Sequence, residues 1–148
     1  MSPHIVAETA IIASGAIALA PAVWWVAGAV PSGVDPDRAD YLMQPPQLGT
    51  VAVAAIGIGA TALVLVATPM LWRAVHTGRA RRHWLQIVGA VALFAGYLGL
   101  TYRFVTTPVI GANIGGGLMI LGILPIAVGL ATWIFIAFRD MRRAQPTI

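Results

Sequence analysis

Val51–Trp72 reads VAVAAIGIGATALVLVATPMLW, 22 residues without one charged side chain. An α-helix rises about 1.5 Å per residue, so about 20 residues cross a hydrocarbon core of about 30 Å. Working outward from this run, three more stretches of similar length and character appear: Thr9–Val30, Trp84–Tyr102 and Leu118–Phe138. Almost every charge lies between these runs or at the chain ends. The pattern predicts an all-α integral membrane protein with four transmembrane helices, arranged as two antiparallel hairpins. Residues 1–148 then make a single four-helix transmembrane domain.

Composition points the same way. The chain is 59% hydrophobic and 9% charged, where a soluble domain carries about 25% charged residues. So few charges cannot cover a fold in water, and lipid or a protein partner must be its solvent. There is no cysteine, which excludes disulfides, thiolate metal sites and cysteine nucleophiles. All nine basic residues are arginine. With the heavy use of Ala, Gly and Pro, this suggests a GC-rich bacterial genome and hence the bacterial inner membrane.

The charge map orients the helices. Arg73, Arg79, Arg81 and Arg82 lie between the second and third runs, and Arg139, Arg142 and Arg143 follow the fourth. The other two arginines, Arg38 and Arg103, belong to the alternate connections. Arginine-rich connections stay in the cytoplasm, so both termini are expected there. The same distribution explains the basic balance without nucleic acid as a partner. The first run is expected to be a retained helix rather than a cleaved signal. Pro21 follows the Ala18–Ala20 stretch directly, no basic residue precedes the run, and it continues through Trp24 and Trp25. Trp72, Trp84 and Trp133, with Trp24 and Trp25, read as interface anchors. Pro21 and Pro125 fall inside apolar runs and predict kinks.

Small residues recur at helical spacing. Gly89 and Gly96 are seven apart, as are Gly115, Gly122 and Gly129, and Ala92–Gly96, Ala95–Gly99 and Ala55–Gly59 are four apart. Lipid gives helices no hydrophobic reason to associate, so close backbone approach over small residues is a main route to packing. Tight pairing of the third and fourth helices through Gly96 and Gly122 is the expectation.

Polar candidates are few. Arg103 ends the third run on the glycine stripe and faces Asp35, Asp37 and Asp40 as local acidic partners. A charge at the edge of a span is either clamped or snorkels to headgroups. Gln86, Tyr97 and Thr101 fall near one helical face and suit interhelical hydrogen bonds. Glu8 begins the first span and can pair with His4 at i,i+4. Gly111–Gly117 (GANIGGG) lacks the Lys-Ser/Thr and preceding strand of a phosphate loop, and reads as a turn. Asp35–Asp40 is too sparse in oxygen ligands for a calcium loop. His4, His76 and His83 all lie outside mid-span, which disfavours a bilayer haem. No paired carboxylates, Ser-His-Asp set or HExxH motif is present. The reading is therefore a non-catalytic accessory subunit of a larger inner-membrane complex, with lipid and other membrane subunits as partners and no cofactor. The alternative is a small homo-oligomeric channel or transporter with its pathway between protomers.

Overall fold

The computed structural model describes residues 3–28, 42–43, 47–80, 82–107 and 113–143. These form four long helices: α1 Pro3–Val26, α2 Thr50–His76, α3 Arg82–Thr106 and α4 Asn113–Arg143. Each is long and apolar enough to cross a membrane, and the described residues contain no strand.

The helix ends have local causes. The first apolar run continues to Val30, but α1 stops at Val26. Gly28 adopts a φ of 106°, and the Ala27 and Gly28 amides donate back to the Val23 and Trp25 carbonyls. A glycine in the left-handed region just past the last turn is a common helix stop. Gly78 does the same for α2, with φ 70° and the Ala80 amide donating to the Ala74 carbonyl. At the other boundary, α4 begins at Asn113, so Asn113–Gly117 are helical rather than part of a turn. Three prolines sit inside helices, Pro21, Pro69 and Pro125. Pro21 and Pro125 are the two expected kinks, and Pro69 adds one in α2. Each removes an amide donor from its helix, which is tolerated when surrounding groups re-satisfy the freed carbonyl.

α1 sits at the centre of the packing. It touches α2 along its length and α3 along another face, whereas α4, among the described residues, packs on α3 and on no other helix. Gly15 lies against Ala67, and Trp25 covers Gly57, so α1 and α2 run in opposite directions. Gly99 lies against the Ala20 backbone and Gly96 near Leu19 and Val23. Ile12 shares a cavity with Val88, and twelve residues on Trp24 meets Tyr102, so α1 and α3 run the same way. Between α3 and α4, Tyr97 meets Gly122 and Val105 meets Gly116. Gly96 therefore faces α1, not α4, while Gly122 receives an α3 side chain. The geometry explains the split: neighbouring residues on a helix are about 100° apart, so Gly96 and Tyr97 serve different partners.

The buried apolar side chains are mostly alanine: Ala16, Ala22, Ala60, Ala67, Ala74, Ala90, Ala95 and Ala137, with Ile12 and Val105. Large apolar side chains point outward, including Leu65, Leu93, Leu121, Leu124 and Phe135. That inversion of a water-soluble core is what lipid as solvent permits, because small residues let backbones approach and big ones cost nothing outside.

Candidate functional site

Polar side chains in the spans are largely satisfied by their own helix. The hydroxyls of Thr9, Thr61, Thr68, Thr101, Thr106 and Thr132 each donate to the carbonyl four residues earlier, at 2.7–2.8 Å. In hydrocarbon an unsatisfied hydroxyl is costly, and back-bonding removes that cost.

The expected polar face of α3 does not converge on one space. Tyr97 reaches across to α4, its hydroxyl donating to the Met119 carbonyl at 2.7 Å. Gly122 makes this possible, since a side chain there would occupy the position of the phenol oxygen. Thr101 is buried and bonds back to Tyr97 O. Gln86 is exposed. Arg103 is half-buried, and its carbonyl accepts from the Thr107 hydroxyl at 2.6 Å. The aspartates considered as its partners lie outside the described residues. Among the glycines, Gly89, Gly115 and Gly129 have no atom within 4 Å of the place a Cβ would occupy. Trp24 and Trp25 also pack between helices. Trp24 meets Tyr102 edge-on at 5.9 Å, and Trp25 lies over Gly57.

A polar cluster that does converge lies where α1 begins and α2 gives way to α3. Gly78 turns the chain back after α2 and so carries Arg79 toward α1. The Arg79 Nη1 donates to Glu8 Oε2 at 3.3 Å, an ion pair between residues 71 apart in sequence. Arg79 Nε donates to Thr77 Oγ1 at 3.1 Å, and the Thr77 hydroxyl donates to Arg73 O at 2.8 Å. The guanidinium is thus held at two points. Glu8 pairs with this distant arginine rather than with His4. Behind the pair opens a cavity of about 420 Å³. Its floor and walls include Ile5, Ile12, Leu71, Ala74, Trp84 and Val88. A second cavity, of about 490 Å³, lies at the opposite end among Pro21, Trp24, Ile56, Tyr102, Val105 and Ile123.

Among the described residues no group of three or more His, Asp or Glu side chains is placed to hold a metal ion. Compared with models of protein families, with curated proteins and with solved structures, the chain finds no match.

Proposed function

We propose that the protein is a non-catalytic subunit of a larger membrane assembly, seated in the bacterial inner membrane. Its helices form two antiparallel hairpins with both termini in the cytoplasm. The observation that carries this reading is the position of α4. This helix has α3 as its one helical neighbour, and Leu118, Leu121, Leu124, Val128, Phe135 and Ile136 stand exposed along it. A helix attached on one side offers the other to the helices of another subunit, with lipid filling what remains. Exposed glycines at Gly115 and Gly129 on the same helix allow close approach of a partner backbone. The orientation is supported by the seven-to-two division of arginines between alternate connections.

The decisive experiment is affinity purification of the full chain from its native membranes in a gentle detergent. Stoichiometric, unrelated membrane proteins that co-purify would support the subunit reading. A pure homo-oligomer would overturn it in favour of a channel or transporter built between protomers. Leu121→Trp and Gly129→Trp, on the outer side of α4, are expected to reduce partner recovery at least several-fold while leaving the chain folded.

A further inference from the structure

We infer that the cavity behind Glu8 and Arg79 is a binding site for an anionic phospholipid, with one acyl chain inside and the phosphate on Arg79. The inference rests on four helices long enough to cross a bilayer, not on the assembly proposed above.

Three properties of the site select this ligand. The first is its shape and lining. The cavity extends along α1 from Ile5 to Ala13, about 12 Å at 1.5 Å per residue. Its end away from the ion pair, lined by Ile12, Ala13, Leu71 and Val88, is apolar. Its volume of about 420 Å³ lies in the range of small-molecule sites, and suits a flexible hydrocarbon chain rather than another helix.

The second is the position of the polar groups. Glu8 and Arg79 stand where the charge-free stretch of α1 begins, and Trp84 lines the same mouth. Tryptophan and arginine at this level belong to the headgroup region. A ligand spanning from them to the apolar floor must be amphipathic, with its polar end at the membrane surface.

The third is charge. Among the described residues Arg79 uses two of its five N–H donors, on Glu8 and Thr77, which leaves three. Its side chain is 59% exposed. A planar guanidinium fixed at two points is pre-organised to present its remaining donors to phosphate oxygens. Glu8 offsets one positive charge. The segment from Arg73 to Arg82 nevertheless carries four arginines and no acid, so the local field favours an anion. Basic pockets between transmembrane helices are a recurrent setting for anionic headgroups.

Native mass spectrometry of the full chain in detergent tests the site, with phosphatidylglycerol and phosphatidylcholine of identical tails offered at equal concentration. Retention should favour phosphatidylglycerol by at least about fivefold. Arg79→Gln should bring the ratio near one, and Arg79→Lys should keep most of the preference. Ala13→Phe, filling the cavity from an exposed position, should lower retention of phosphatidylglycerol itself by a similar factor. Arg142→Gln, an exposed arginine on α4 outside the cavity, should leave both unchanged. If Arg79→Gln does not purify folded, the contrast between Arg79→Lys and Ala13→Phe carries the test. A wild-type ratio near one would overturn the proposal. So would an equal loss in Arg142→Gln, which would mean surface charge alone. Displacement of bound lipid by millimolar inorganic phosphate would overturn it too, by making the ligand a free anion.

Discussion

Gly99→Ala and Gly89→Ala should separate sharply in stability, although both add one methyl to the same helix. At Gly99 a Cβ would stand against the carbonyl and Cα of Ala20. Both are backbone atoms and cannot rotate aside, so α1 must move away from α3. Overpacking of this kind costs about 1–3 kcal/mol. At Gly89 no atom lies within 4 Å of the new methyl. Replacing glycine by alanine inside a helix also contributes up to about 1 kcal/mol of stability, but that gain is common to both variants and cancels in the comparison. Gly99→Ala should therefore be less stable than Gly89→Ala by about 1–3 kcal/mol. The assay is reversible unfolding in mixed micelles as the denaturing detergent fraction rises, followed by helical circular dichroism and by fluorescence of the five tryptophans. Stabilities equal to within about 0.5 kcal/mol would refute the close approach of α1 and α3 at this level. With it would go the central position of α1.

Other outcomes follow from single contacts. Tyr97→Phe removes the bond to the Met119 carbonyl and should cost about 0.6 kcal/mol, the average for hydrogen bonds between membrane helices. Gly122→Ala should lose more on its own than in a Tyr97→Phe background, because the phenol oxygen is what the new methyl displaces; additive losses would contradict that packing. Glu8→Gln should cost no more than about 1 kcal/mol, as expected for an ion pair with an exposed arginine, and a markedly larger loss in the same micelle titration would show a role beyond that pair. For orientation, the chain's lack of cysteine permits clean labelling: Thr77→Cys should be shielded from an impermeant external thiol reagent and Ser32→Cys should react, and the reverse pattern would invert the assignment.

The four helices were legible because length and absence of charge are enough to recognise a membrane-crossing segment. Their neighbours were not. In a soluble bundle the apolar stripe of each helix marks its inner side, but lipid and protein accept the same Leu, Ile and Val faces. Nothing in Thr9–Val30 distinguishes it as the central helix. Glycine spacing found residues that do meet other helices, such as Gly96, Gly99 and Gly122, but its expected pairing of Gly96 with α4 fails because Gly96 faces α1. The Glu8–Arg79 pair was missed for a related reason. A local partner, His4, satisfied the i,i+4 rule, and the true partner lies 71 residues away. A signal was available in Gly78, whose placement after Thr77 marks a helix stop that folds the following arginine back toward the bundle. The α1 boundary was misjudged at Gly28 because hydropathy does not register backbone conformation.

The attachment of α4 to α3 alone bears on how the protein is made. Its one neighbour is the segment that leaves the ribosome just before it. By the time α4 emerges, α1 and α2 have been synthesised with α3 and can already hold their mutual contacts, so nothing among those three has to wait or reopen. Insertion of α4 is then an addition at the rim. Any subunit that joins at α4 meets a surface that exists only after α1, α2 and α3 have been made, which places that docking step later than the packing of the first three helices.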